Sequence, residues 1–105
     1  MEVEILHIEA CPNWRRAGEL VSRVLKELDA KHVPVTFTLI STPDEAAAFP
    51  FAGSPTILVD GVDAFPSGGA TAELACRVYQ ADGRLAGTPS LSDLRTVLTE
   101  RLSVQ

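Results

Sequence analysis

The sequence has little cysteine, few aromatic residues and no long apolar run. Its 105 residues include 2 cysteines, 1 tryptophan and 1 tyrosine. Two cysteines cannot build the dense disulfide framework of a small secreted domain. No apolar run approaches the ~20 residues that a membrane-spanning helix needs. We therefore expect a soluble domain in which any important cysteine acts as a thiol.

Basic residues are also few, with 9 Lys and Arg against 14 Asp and Glu and a formal net charge of -5. Such a chain has no basic stripe for a phosphate backbone, and an anionic membrane surface would repel it. The start of the chain, MEVEILHIEACP, lacks the basic and apolar segments of a secretory signal. We therefore expect a cytoplasmic protein that binds neither nucleic acid nor membranes.

Apolar periodicity is the strongest positive signal in the sequence, and 46% of the residues are hydrophobic. The length fits one domain over residues 1–105. Strands are predicted at 2–8, 33–40, 56–59 and 75–80, and helices at about 12–31, after Thr42 and after Ser90. This β-α-β-α-β-β-α order predicts an α/β fold, with a four-stranded mixed sheet and helices on both faces. Residues 60–74 are predicted to form a long loop.

Cys11 lies where the first strand ends and the long helix begins, and Pro12 suits the first helical position. Backbone N–H groups at a helix N-terminus stabilise an anion, so this position favours a thiolate. Nucleophilic, redox and metal-binding cysteines all need that form. The alternative is a small apolar residue that closes the strand. We favour Cys11 as the catalytic candidate.

Two motifs in the chain resemble those of the thioredoxin-like superfamily. The segment Cys11-Pro12-Asn13-Trp14 occupies the place of the Cys-x-x-Cys motif, and Ser54-Pro55-Thr56 resembles the cis-proline segment. The resemblance covers nearly the whole chain and implies a thioredoxin-like fold with Cys11 at its active site. The substrate-binding residues that it implies are Pro12, Trp14, Ser54, Pro55 and Thr56.

Trp14 stands where the second cysteine of the motif would be, so Cys11 has no neighbouring thiol with which to form a disulfide. We therefore expect monothiol redox chemistry or a thiol adduct of a soft metal. The partner would be a thiol-containing small molecule or protein, and no cofactor is expected. The alternative is a non-enzymatic binding module that uses Trp14 and the 60–74 loop. Trp14 itself is either an exposed anchor or a lid packed on the helix start.

Pro55 is a candidate cis-proline because an X-Pro bond pays only about 0.5–1 kcal/mol to be cis. The resemblance favours cis, which would leave the backbone groups of Ser54 free to pair with an extended peptide or a thiol ligand. A trans proline that starts the third strand is the alternative.

A second resemblance covers the stretch from Gly53-Ser54-Pro55-Thr56 to Cys76-Arg77-Val78-Tyr79. It is similar to small stand-alone thioredoxin-like proteins that are labelled alkylmercury lyase by similarity. That activity uses two thiolates and a carboxylate that protonates the departing carbon. The resemblance makes Cys11 and Cys76 candidate thiolates, and organomercurial chemistry becomes a third hypothesis. The candidate acids are Glu9, Asp60 and Asp63.

Sheet geometry argues against a meeting of the two thiols. A fourth strand antiparallel to the third would place Cys76 about 13–17 Å from Cys11, whereas a disulfide needs Cα atoms within about 7 Å. Cys76 is therefore only a candidate second thiol, and we expect it to be a buried small residue. His7 is expected in the core or at an edge. The spacing of two cysteines and one histidine predicts no metal site.

Overall fold

Helices and strands alternate in the first half of the chain, and short strands follow in the second half. The computed structural model describes residues 1–66 and 74–103. Its elements are β1 (Val3–His7), α1 (Asn13–Glu27), β2 (Val35–Leu39), α2 (Pro43–Ala48), β3 (Thr56–Val59), β4 (Val62–Asp63), β5 (Tyr79–Ala81), β6 (Arg84–Ala86) and α3 (Leu91–Ser103). No helix in these two ranges has the length and apolar character needed to cross a membrane.

The main sheet has four strands in the order β2-β1-β3-β4. β1 runs parallel to β2 and antiparallel to β3, and β4 is antiparallel to β3. Ile5 at the centre of β1 lies opposite Phe37 on one side and Ile57 on the other. The predicted α/β class with a four-stranded mixed sheet is confirmed.

The identity of the fourth strand differs from the prediction. Residues 75–80 were expected in that place, but the chain turns at once through Asp60 and Gly61 and pairs β4 with β3. Both turn residues have positive φ, 51° and 82°, which suits a tight two-residue hairpin. The long loop predicted at 60–74 therefore begins with a turn and a strand, and its residues 67–73 lie outside the described residues.

β5 and β6 form a separate hairpin around a turn at Asp82 and Gly83. Tyr79 pairs with Ala86 in this hairpin, so the end of the predicted fourth strand has a partner outside the main sheet. Of the strand predicted over 75–80, only the last two residues belong to β5, which begins at Tyr79, while Cys76 forms an isolated bridge with Ser54.

The sheet has a buried apolar core on each face, because successive side chains of a strand point to opposite sides. α1 and α3 cover one face, and α2 covers the other. The first core includes Val3, Ile5, Val21, Val24, Leu25, Ile57, Val59, Leu94 and Leu98. The second includes Leu6, Ile8, Cys11, Ile40, Ala46, Phe51 and Leu58. Each large side chain contributes about 1.5–3 kcal/mol when fully buried, so both faces hold the fold together.

Helix α1 is shorter than the predicted 12–31. Pro12 lies just before its first residue, Asn13, rather than inside it. At the other end Asp29 adopts φ 56°, and the N–H of Ala30 donates to the carbonyl of Leu25 at 2.7 Å. This left-handed C-terminal arrangement ends the helix early and satisfies its last carbonyls.

The other two helices begin where the sequence predicts. The hydroxyl of Thr42 accepts the N–H of Glu45 at 3.1 Å, and the hydroxyl of Ser90 accepts the N–H of Asp93 at 3.0 Å. Each contact supplies a partner to a backbone donor that the first turn of a helix leaves unpaired.

Candidate thiol site

Cys11 follows β1 through a short loop and lies beside the start of α1. Its side chain is completely buried, with 0% exposure. The thiol donates a hydrogen bond to the carbonyl of Ser54 at 3.5 Å, and the side-chain amide of Asn13 donates to the Cys11 sulfur at 3.6 Å. The sequence placed Cys11 correctly at the helix start, and the structure buries its thiol there.

Cys76 is exposed and lies beside Ser54 in an isolated parallel β-bridge. The N–H of Ser54 donates to the carbonyl of Ala75 at 2.8 Å, and the N–H of Arg77 donates to the carbonyl of Ser54 at 2.8 Å. The expectation that Cys76 is a buried small residue is therefore wrong. Its thiol is the accessible one of the two.

The two thiols interact, contrary to the wide separation that sheet geometry predicted. A hydrogen bond with Cys11 raises the pKa of the Cys76 thiol above its ordinary value, and desolvation and the charge of Cys11 act in the same direction. The prediction failed because it assumed that residues 75–80 run antiparallel to β3. The segment pairs instead in parallel with Ser54, just before β3 begins and at the end of the sheet nearest Cys11.

The peptide bond between Ser54 and Pro55 is cis, as the resemblance implied. The backbone groups of Ser54 are nevertheless occupied, because its N–H donates to the carbonyl of Ala75 and its carbonyl accepts the N–H of Arg77. The expectation that these groups are free for an extended peptide or a thiol ligand is wrong. The segment that carries Cys76 fills that place.

The side chains of Ser54 and Thr56 are buried and form hydrogen bonds within the protein. Both residues are 0% exposed. The Ser54 hydroxyl accepts the N–H of Ile8 at 3.1 Å, while the Thr56 hydroxyl donates to the carbonyl of Gly53 and accepts the N–H of Ala52 at 3.0 Å. These contacts fix the position of the cis-proline beside Cys11.

Gly53 allows the segment with Cys76 to approach this closely. Its φ is 100°, a conformation that residues with a side chain rarely adopt. A Cβ atom added at Gly53 would lie 2.8 Å from the Cβ of Arg77. Glycine at position 53 is therefore required for the close approach of the Cys76 segment, and no pattern in the sequence indicates this.

A buried ion pair anchors the same segment from its other face. The guanidinium of Arg77 lies 2.8 Å from the carboxylate of Asp63 and also donates to the carbonyl of Phe65. The guanidinium carbon lies 4.6 Å from the ring centroid of Tyr79, whose hydroxyl donates to the carbonyl of Pro55 at 2.5 Å. Burial raises the pKa of that hydroxyl. Arg77 and Tyr79 share the inward face, and Cys76 and Val78 point outward, as strand alternation predicts.

The three candidate acids lie in different surroundings. Asp63 is paired with Arg77. Asp60 accepts the N–H of Glu2 at 2.8 Å, at the end of the sheet away from Cys11. Glu9 lies on the same loop as Cys11 and is exposed.

Trp14 packs over the start of α1 as a lid. Its ring stacks on His7 with centroids 4.4 Å apart and meets the edge of Phe37 at 5.3 Å. His7 is buried, as expected of a core residue, and this burial lowers its pKa. Trp14 is partly buried in this cluster, which favours the packing role over the exposed anchor.

Cys76 borders a small open cleft between its own segment and the β5–β6 hairpin. The cleft has a volume of about 310 Å³ and is lined by Asn13, Cys76, Arg77, Val78, Leu85, Ala86 and Gly87. A Cβ added at Gly87 would lie 2.2 Å from the Asn13 amide nitrogen, so the hairpin fits tightly against the residue that contacts Cys11. In the part of the chain that the structure describes, no three His, Cys, Asp or Glu residues gather as metal ligands.

Comparisons with known proteins do not assign the chain to a family. No protein-family model matches the chain, and a search of curated proteins found no match. The functional argument therefore depends on the cysteine pair and its surroundings.

Proposed function

We propose that this protein is a thioredoxin-like thiol–disulfide exchange protein whose reactive unit is the pair Cys11 and Cys76. The observation that carries the proposal is that a buried thiol and an exposed one are held against the same residue, since Cys11 donates to the carbonyl of Ser54 and Cys76 lies in a β-bridge with Ser54. The cis-proline beside the pair and the β-α-β-α-β start of the chain support the thioredoxin-like assignment. A dithiol fits a reducing compartment such as the cytoplasm.

The difference in exposure gives the two cysteines different roles in the exchange. Cys76 is reachable, so its thiolate attacks a disulfide of the partner, forms a mixed disulfide and expels one partner thiolate. The buried Cys11 thiolate then attacks the Cys76 sulfur, forms the Cys11–Cys76 disulfide and expels the second partner thiolate. Two electrons pass from the protein dithiol to the partner disulfide, and two protons are released to solvent or to the departing thiolates.

The surroundings of Cys11 suit the second step. Asn13 donates to its sulfur, and Cys11 lies two residues before the first residue of α1. Both features stabilise negative charge on sulfur. Burial also protects Cys11 from direct attack by bulky partners, so the exchange begins at Cys76.

The test uses dithiodipyridine, a small aromatic disulfide whose released thiol absorbs light. The reduced protein should release two thiols per chain and lose the mass of two hydrogen atoms, with Cys11 and Cys76 joined in one cross-linked peptide. Cys11→Ser should release one thiol and keep the mixed disulfide at Cys76. Cys76→Ser should react slowly, because Cys11 is buried. A stable mixed disulfide on the unaltered protein, without the cross-link, would contradict the proposal.

Binding of a soft metal ion is a second candidate, favoured by the same pair of neighbouring sulfurs. Thiolates select soft cations such as Cu(I), and two of them satisfy a cation of low coordination number. Titration with Cu(I) should give one tightly bound ion on the unaltered protein and lose it in either single serine variant. Binding that survives in both variants would exclude the pair as the site.

Two further hypotheses gain less support. The thiol pair satisfies part of the requirement for organomercurial cleavage, but Asp63 is neutralised by Arg77 and Asp60 lies at the far end of the sheet. Of the three candidate acids, only the exposed Glu9 lies on the loop that carries Cys11. A non-enzymatic binding module would not require two interacting thiols. Its partner binding would be unchanged in Cys11→Ser and Cys76→Ser.

A further inference from the structure

The cleft beside Cys76 has an apolar surface. Val78 is 62% exposed and Leu85 is 73% exposed, and both line the cleft next to the accessible thiol. Large apolar side chains that are exposed side by side often mark a binding surface. Here they flank the atom at which the exchange reaction begins.

The described residues that line the cleft offer no free charge to a ligand. Arg77 is the one charged residue among the seven that line it. Its guanidinium is 6% exposed and turned towards Asp63 and the Phe65 carbonyl. The chain as a whole carries a net charge of -5, which disfavours the approach of an anion.

The volume of the cleft suits a small ligand. Its volume of about 310 Å³ is at the lower end of the range for small-molecule sites, which runs from about 300 to 1,000 Å³. The Asn13 amide and the backbone at Gly87 close one side of it. A small organic group fits this space better than an extended polar chain does.

We infer that the thiol pair acts on small disulfides whose organic group is apolar and uncharged, with that group against Val78 and Leu85 during attack by Cys76. This inference rests on the proposed function and names its substrate class. Burial of part of an aromatic or branched aliphatic group against these side chains would hold the reacting sulfur close to Cys76.

The test compares two methanethiosulfonate reagents that differ only in the group transferred, benzyl or sulfonatoethyl. Cys11→Ser is used so that the mixed disulfide at Cys76 accumulates. In each reaction the Cys76 thiolate displaces methanesulfinate, and mass spectrometry gives the rate constant. An unstructured peptide with the sequence of residues 74–78 gives the intrinsic ratio of the two rates. We expect the benzyl preference of the protein to exceed that of the peptide by about tenfold.

Two aspartate variants, each in the Cys11→Ser background, provide a matched comparison. Leu85→Asp introduces a charge in the cleft, whereas Val62→Asp places the same charge at an exposed apolar position on β4, outside the cleft. Leu85→Asp should abolish the excess benzyl preference, and Val62→Asp should retain it. Leu85→Asn removes the apolar contact without a charge and should behave like Leu85→Asp. Circular dichroism checks that each variant is folded.

The outcomes separate this inference from the proposed function. A benzyl preference equal to that of the peptide, or equal effects of Leu85→Asp and Val62→Asp, would overturn the substrate class. The Cys11–Cys76 cross-link is measured separately, on protein with both cysteines. Its formation without a benzyl preference would leave the exchange function standing and reject only the apolar ligand.

Discussion

The exposed cysteine is also the one whose ionisation is suppressed. Cys76 can be reached from solvent, but its contact with Cys11 raises its pKa and so reduces the fraction of thiolate at neutral pH. The interaction that makes a disulfide geometrically accessible also slows the first attack. Reactivity at Cys76 is therefore controlled by a residue that solvent does not touch.

Removal of the Cys11 thiol should make Cys76 more reactive. Cys11→Ala eliminates both the hydrogen bond and the charge that raise the pKa of Cys76. The pKa should fall towards its ordinary value, the thiolate fraction at pH 8 should increase, and iodoacetamide should alkylate Cys76 faster than in the unaltered protein. The pH dependence of that rate, with the modified cysteine located by peptide mapping, measures the shift.

A second substitution distinguishes the thiol contact from a general loosening of the site. Cys11→Ser keeps a hydrogen-bonding group of similar size but removes the ionisable sulfur, so its alkylation midpoint should lie between those of the other two proteins. An identical midpoint in all three proteins would mean that Cys11 does not act on Cys76.

The position of Cys11 in the fold could be predicted from the sequence, but the position of Cys76 could not. Cys11 was located by a local signal, the junction of an apolar strand and an amphipathic helix with Pro12 at its start. The position of Cys76 depends on whether a distant segment pairs parallel or antiparallel beside Ser54, and no local pattern specifies that. The Arg77–Asp63 pair was missed for the same reason, since each residue alone is typical of a solvated surface.

Three short segments create the site, and none of them is a long regular element. The turn at Gly53, Ser54 and Pro55 receives the strand-like residues around Cys76 on one side and the Cys11 thiol on the other. Two backbone hydrogen bonds of 2.8 Å join Ser54 in the turn to Ala75 and Arg77 in the segment around Cys76. Because so few residues form this contact, its stability depends on the close approach of Arg77 to Gly53.

Gly53→Ala should therefore disrupt the site as well as destabilise the fold. Its φ of 100° strains any side chain, and the new Cβ would lie 2.8 Å from the Cβ of Arg77. We expect a loss of about 2 kcal/mol or more in the free energy of unfolding. Urea denaturation measures that loss. Cross-linking of Cys11 to Cys76 by dithiodipyridine should also be slower.

Gly61→Ala is the matched control for this substitution. Gly61 also has a positive φ, 82°, but a Cβ there would have nothing within 4 Å. Its cost should be backbone strain alone, about 1–2 kcal/mol, with the cross-linking rate unchanged. Equal effects of the two variants on cross-linking would show that the close approach at Gly53 is unimportant.

At the scale of the whole molecule, the sequence predicted the layers better than the connections. The α/β class and the four-stranded mixed sheet follow from hydrophobic periodicity, which is a property of each segment. The pairing of the segments after β3 depends on contacts between residues far apart in the sequence. The turn at Asp60 and Gly61 brings β4 onto the edge of β3 that was predicted for residues 75–80. The Asp-Gly pair at positions 60 and 61, which favours the positive φ values that a two-residue hairpin turn needs, was the available sequence signal.

The buried His7 should make the stability of the whole molecule sensitive to mild acid. Burial lowers its pKa below the ordinary value of 6.5, so the unfolded chain binds a proton at a pH where the folded chain does not. The free energy of unfolding should therefore fall as pH decreases from about 7.5 to about 5.5, before most carboxylates begin to titrate. Urea denaturation at several pH values measures this slope.

Substitution of the ring tests whether His7 is the source. His7→Phe keeps an aromatic ring against Trp14 and Phe37 and removes the Nδ1 atom, which is buried and has no hydrogen-bond partner among the described residues. The variant should be at least as stable as the unaltered protein near pH 7.5 and lose most of the slope. His32→Gln removes an exposed histidine and should keep the slope. If His32→Gln flattens the profile and His7→Phe does not, the stacked cluster plays no part in the acid response.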